Sequence, residues 1–183
     1  NLRKFDGTLP LPDGTNSAPS LFFDDDTNTG IFSGAADEFN IATGGTERFV
    51  INSSGNVGIG TDPSTNLHVK GSGTDILKIE STDTGTQGAN LILQHSPGSG
   101  NMANNDVISL LQFNGVDNSN AATTYASIRA VATNVANNSE TGDITFHTRN
   151  GSTFGERVRI DSSGKVHIGL TNGSGQFNVK NQN

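Results

Sequence analysis

Cysteine and tryptophan are absent from the 183 residues, and tyrosine and methionine occur once each. Without cysteine the chain has no disulfide staple, no zinc-thiolate site and no thiol nucleophile. Basic residues are few, 11 Lys and Arg against 18 Asp and Glu, for a net charge of −7. They are scattered, so neither nucleic-acid phosphates nor an anionic membrane meets the clustered counter-charge that binding requires. No apolar run approaches the ~18 residues that cross a bilayer, and no basic and apolar leader opens the chain, so it reads as soluble with no membrane insertion. A first residue Asn1 in place of Met reads as a processed or partial chain. Hydrophobic residues make up only 31%, whereas the 23 glycines are nearly twice the usual share of ~7%. A self-sufficient compact core is therefore not expected, and burial between identical copies is the natural source of stability.

What is present is a repeat. Glu47-Arg48-Phe49-Val50-Ile51-Asn52-Ser53-Ser54-Gly55-Asn56-Val57-Gly58-Ile59-Gly60 returns as Glu156-Arg157-Val158-Arg159-Ile160-Asp161-Ser162-Ser163-Gly164-Lys165-Val166-His167-Ile168-Gly169. Further on, Leu67-His68-Val69-Lys70 is matched by Phe177-Asn178-Val179-Lys180 with one extra residue between. Alternation in each copy predicts two short strands joined by a hairpin. Asn52 or Asp161 would cap the turn through its side chain, and Gly55 or Gly164 would supply a positive φ. Phe49/Val158, Ile51/Ile160, Val57/Val166 and Ile59/Ile168 stay apolar in both copies and read as the buried row. Val50 becomes Arg159 and Gly58 becomes His167, so those positions read as solvent-facing and Arg159 as dispensable. The repeated Glu47-Arg48 and Glu156-Arg157 read as an ion pair or strand-edge charge.

Along the chain, residues 1–18 read as an extended lead-in rich in Pro and Gly, and 19–61 as a first β module. That module holds strands at Leu21-Phe22-Phe23, Ile31-Phe32 and Phe39-Asn40-Ile41, with Asp24 to Gly30 as a turn. Residues 62–80 read as connecting strands, including Leu67 to Lys70 and Ile76 to Glu80. Residues 81–154 form an inserted β-rich knob or shoulder, with strands at Leu91-Ile92-Leu93, Val107 to Phe113, and Asp143 to Thr148. Thr123 to Ala136 fits strand better than helix, and 155–183 is a second β module closing on Phe177 to Lys180.

Several of these segments resemble the repeat segments of bacteriophage tail fibres. They are Pro19-Ser20-Leu21-Phe22-Phe23, Asp26-Thr27-Asn28-Thr29-Gly30-Ile31-Phe32, Thr43-Gly44-Gly45-Thr46-Glu47-Arg48 and Asn56-Val57-Gly58-Ile59-Gly60-Thr61. Ile79-Glu80-Ser81-Thr82-Asp83-Thr84-Gly85, Thr124-Tyr125-Ala126-Ser127-Ile128 and Thr141-Gly142-Asp143-Ile144-Thr145-Phe146 are similar to the larger β module placed between such repeats. The likeness spans about Pro19 to Leu170. It implies an all-β, elongated homotrimeric fibre of interlocked short strands and hairpin repeats with a wider middle module. Its partners would be two further copies, other virion tail proteins and a host cell-surface glycan, and its location the extracellular virion. Longer relatives often end in a self-cleaving chaperone domain, for which nothing after Lys180 could serve, so cleavage, trimming or unaided trimerisation is expected.

Chemistry-bearing constellations are sparse. Asp24, Asp26 and Asn28 alternate ahead of Gly30 like part of a calcium loop, but the glycine is one place late and no closing glutamate follows. A plain polar turn is the simpler reading. His68, His95, His147 and His167 lack the close spacing of a metal pair, the glutamates form no hydrolytic pair, and the serines lack a nucleophile elbow. No catalytic residue, cofactor or metal is therefore assigned. Glycan contact, with no Trp and ten Phe that read as core, would fall on the Asn- and Ser-rich loops at 101–105, 117–120 and 134–139. Two alternatives share the trimeric plan, a tailspike depolymerase acting on host polysaccharide and a bacterial trimeric adhesin.

Overall fold

The computed structural model describes residues 10–86 and 88–169. It is all-β. The strands are β1 Leu21–Phe23, β2 Asp26–Phe32, β3 Phe39–Thr43, β4 Thr46–Ile51, β5 Val57–Ile59, β6 Leu67–Val69, β7 Asp106–Val116, β8 Ala122–Asn134, β9 Thr141–Asn150, β10 Thr153–Ile160 and β11 Val166–Ile168. They fall in two compact units, Asn1–Ala89 and Asn90–Asn183, each with one sheet. The first sheet runs β1 through β6 in order, and the second runs β7 through β11 in order. Among the described residues there is no helix to cross a membrane.

The ladder registers make the two sheets equivalent well beyond the repeated sequence. In the first, Leu21, Ile31, Ile41, Phe49 and Ile59 pair in one row across five strands. In the second, Leu111, Ile128, Phe146, Val158 and Ile168 do the same. Because side chains alternate along a strand, each row lies on one face, and a parallel row of Phe39, Ile51 and Val57 or Ile144, Ile160 and Val166 lies beside it. The boundary expected between 154 and 155 thus lies inside β10, a strand of the same continuous meander as β7 to β9.

The hairpin turns match their sequence reading. Asn52 Oδ1 accepts from the backbone N–H of Ser54 and Asn56 at 3.1 and 3.0 Å, and Asp161 Oδ1 from Ser163 and Lys165 at 2.9 and 3.0 Å. Gly55 and Gly164 adopt φ of 77° and 81°, a region costly for any residue with a Cβ. The Glu-Arg pairs behave differently from expectation. The ladder slips between Ile41 and Ala42 and between Glu156 and Val158, making Arg48 and Arg157 the extra residues of equivalent β-bulges. Arg48 Nε donates to Thr43 Oγ1 at 3.0 Å, and Arg157 Nε to Thr148 Oγ1 at 3.1 Å. Each arginine thus ties its bulge to the neighbouring strand instead of pairing with the preceding glutamate.

The conserved apolar row, expected to be buried, is not buried within the chain. Ile59 is 44% exposed, Ile160 37% and Val166 60%, while Val50, on the other face, is 3% exposed. Among the described residues only Phe32, Ala42, Val50 and Ala132 are buried apolar side chains. The alternation was legible, but both faces of the first hairpin are apolar, and which one the chain covers depends on segments distant in sequence. Pro19 lies behind Gly30, where a Cβ would stand 2.9 Å from its Cβ, and Pro63 lies behind Gly58, 3.0 Å from such an atom. Val50 Cγ1 would be 2.8 Å from the same Gly58 Cβ, so the glycine is required for the chain to pass.

Three local expectations change. Asp26 to Gly30 belong to β2, which leaves Asp24 and Asp25 as the turn, because Phe23 already pairs with Asp26. Residues 76–80 and 91–93 form no strand, since their alternation supplies propensity but, among the described residues, no neighbouring strand accepts their backbone groups. Their apolar side chains stand open, with Leu77 73% and Ile92 80% exposed. Thr123 to Ala136, by contrast, is strand through Asn134. The lead-in residues 1–9 and the strand expected at 177–180 lie outside the described residues.

Candidate functional site

Superposing the registers assigns each position on the covered face of the first sheet a counterpart in the second. Phe32 pairs with Asn40 as Arg129 pairs with Thr145, and Val50 with Gly58 as Arg159 with His167. Gly30 opposite Ala42 corresponds to Ser127 opposite His147. Phe32, Ala42, Val50 and Gly58 in the first unit are thus replaced by Arg129, His147, Arg159 and His167 in the second.

In the first unit this face is closed. Asn40 is 1% exposed and bonded through both ends of its amide, donating to Glu47 Oε2 at 2.7 Å while its Oδ1 accepts from the Gly34 N–H at 2.9 Å. In the second, Arg159 donates to Glu156 Oε2 at 2.6 Å and Oε1 at 2.9 Å, and to Asp143 Oδ2 at 2.5 Å. The hydrogen bonds to Glu156 and then Asp143 raise the already high pKa of the guanidinium. Asp143 is 7% exposed, and its Oδ1 also accepts from Ser162 N–H at 3.1 Å. Arg159 therefore neutralises a buried carboxylate and pins the hairpin to β9; the sequence reading of a dispensable solvent-facing residue is corrected. His167, expected to face water, is only one-third exposed at its side chain, and its Nε2 donates to Asp161 Oδ2 at 2.7 Å. That contact, with the Ser163 hydroxyl and the Lys165 N–H, holds the Asp161 carboxyl below the usual range.

Beside this network, His147 stacks on Phe154 with centroids 5.9 Å apart and planes 18° from parallel. The guanidiniums of Arg129 and Arg149 each lie 5.8 Å from the centre of that same ring. Arg149 Nε donates to Thr124 O at 2.8 Å. Burial, and then the Arg129 charge, push His147 below its ordinary pKa, favouring the neutral imidazole. Ser127 Oγ, Arg129 Nε, Thr145 Oγ1 and His147 Nδ1 are buried polar atoms without a hydrogen-bond partner. All four lie on two neighbouring cross-strand pairs, Ser127 with His147 and Arg129 with Thr145.

The Asn-rich loops owe much of their composition to backbone geometry. Asn105, Asn120 and Asn138 have φ of 73°, 64° and 63°, where Asn is tolerated better than most residues. The loops at 101–105 and 134–139 meet, with Asn104 Oδ1 accepting from Val135 N–H at 3.0 Å, beside a hollow of about 550 Å³ lined by Met102, Ile108 and Glu140 among others. The loop at 117–120 borders a separate hollow of about 400 Å³ lined by Asp117, Thr123, Tyr125, Arg149 and Gly151. Asp117 is held below the usual carboxylate range by the Ser119 hydroxyl and the Ala121 and Ser119 N–H groups.

Asp24, Asp26 and Asn28 do not form a calcium loop, because two of them sit in the extended β2 backbone. Among the described residues no three His, Asp or Glu side chains gather closely enough to hold a metal ion. His68 Nδ1 lies 3.4 Å from the Ser64 hydroxyl, and His95 falls in irregular chain, so the four histidines serve separate surroundings. The cationic and aromatic cluster on β8 to β10 was not anticipated; Arg129 and His147 fall in two strands expected from the sequence, and Arg149 lies two places past His147, just beyond the expected end at Thr148. No family model and no curated protein matches the chain.

Proposed function

We propose that the chain is a structural subunit of a homotrimeric virion appendage of the tail-fibre type, extracellular, joined to other tail proteins and contributing to attachment at the host surface. The observation that carries this reading is the uncovered apolar face of both sheets. Leu21, Phe39 and Leu67 on the first and Leu111, Ile144 and Val166 on the second are all more than one-third exposed. Burying such a side chain fully is worth roughly 1.5 to 3 kcal/mol, and the isolated chain realises only part of that gain, since each row position is either half-buried or exposed. Copies set face to face would recover it. The unpaired alternating runs at 76–80 and 91–93 support the same reading, since a neighbouring copy can supply the missing ladder partners. The threefold order and the fibre role rest on the resemblance to tail-fibre repeats.

Light scattering on a dilution series tests the assembly. A mass three times the 19.0 kDa of one chain, stable to dilution, is the expected result. A stable folded monomer would overturn it. Attachment is tested separately by binding of the labelled assembly to bacterial cells, with release of reducing ends from their polysaccharide as the outcome that would favour a depolymerase instead.

A further inference from the structure

We propose that the polar face of the second sheet binds an oxyanion, a carboxylate or a phosphate group, between Arg129 and Arg149 at the Phe154 ring. Three observations converge there. First, in a chain of net charge −7, two guanidiniums share one ring, and among the described residues neither makes an ion pair. Asp143 and Glu156, on the same face, are committed to Arg159, and Asp117, which lines the hollow beside Arg149, accepts from Ser119 and Ala121 of its own loop. Second, the four unpartnered buried polar atoms all lie at this place, including the hydroxyls of Ser127 and Thr145, which are 2% and 1% exposed. A buried donor left unmade is costly, and an acceptor oxygen arriving beside Arg129 and His147 relieves that cost. Third, Arg149 also walls the hollow of about 400 Å³ that carries the half-exposed ring of Tyr125, so the Arg149 end of the cluster borders a space large enough for a small ligand.

The comparison between units strengthens the assignment. At Gly30 and Gly58 the first sheet admits Pro19 and Pro63 against its back. Their counterparts Ser127 and His167 fill that room with side chains, which converts a face closed by its own chain into one built of donors. Because this face is opposite the apolar rows, the proposal stands independently of the assembly proposed above. Guanidinium forks hold carboxylate and phosphate alike, so the two are separated by titration and not by geometry.

The test is calorimetric titration of the assembled protein with inorganic phosphate, with glucuronate and with neutral glucose as control, while the His147 imidazole proton resonance is followed by NMR. Saturable binding of phosphate, glucuronate or both, with a shift of the His147 resonance and none from glucose, is expected, and the preferred probe names the group. Arg129→Gln with Arg149→Gln should weaken that binding by roughly tenfold or more. If the double variant does not fold, Arg149→Gln alone, at the half-open end of the cluster, should still weaken it several-fold. No binding of either anion, or binding unchanged in a folded arginine variant, overturns the proposal. Light scattering on the same samples reads the assembly state, so loss of the trimer and loss of the site are told apart.

Discussion

Val50 against Gly58 in the first hairpin and Arg159 against His167 in the second occupy the same places in equivalent sheets, yet one pair is dry and the other ionic. The backbone is indifferent to the exchange. Turn, bulge, Arg-to-Thr tie and apolar row are the same in both units, because they depend on residues the two copies share. What differs is how each unit treats its back face. The first covers it with chain, which requires glycine at Gly30 and Gly58; the second fills it with side chains that must then satisfy one another. One scaffold thus supports a closed wall and a chemically open one.

The comparison breaks most sharply if residues are exchanged. Gly58→His should clash with Val50, Pro63 and the Thr61 carbonyl, and cost above about 3 kcal/mol in urea unfolding or prevent folding. The reciprocal His167→Gly should cost about 1 kcal/mol, since it opens space instead of overfilling it. Near-equal effects would show that the two back faces are built alike.

Next in size are the shared rows. Ile59→Ala and Ile168→Ala should each weaken assembly by about 2 to 4 kcal/mol per buried site, seen as dissociation on dilution. If the rows remain in water, both variants should behave as wild type. Arg159→Val should cost about 1 to 3 kcal/mol, discounted because the guanidinium is partly exposed, by stranding Asp143. Val50→Arg should cost at least as much, because Val50 is 3% exposed and packed against Gly58, where a guanidinium has no room, even though Glu38 and Glu47 stand at the places of Asp143 and Glu156.

The smallest effect is on pH. His147 has a folded pKa below its unfolded value, so the unfolded chain takes up a proton first as pH falls. Stability should be full above about pH 6.5 and decline below it, measured as a falling Tm between pH 7.5 and 5.5. His147→Gln should flatten that part of the profile. The counterpart in the first unit is Ala42, which contributes no titration there.

Much of the fold was legible. Period-two alternation placed most of the strands, and Asn52, Asp161, Gly55 and Gly164 specified their turns through local hydrogen bonds and φ. The runs at 76–80 and 91–93 misled because a strand needs a partner that propensity does not name. The candidate site was not legible, because Arg129, His147, Arg149 and Phe154 come from three strands and meet only through register.

The sequence by itself determined the all-β class, the repeated hairpin and the identity of the apolar rows, since each follows from contacts between near neighbours or from a period of two. Only the tertiary structure decided which face the chain covers, that Arg48 and Arg157 are bulges, and that Arg159 neutralises Asp143. Those depend on pairing between distant segments, where a shift of one residue turns every side chain to the other face.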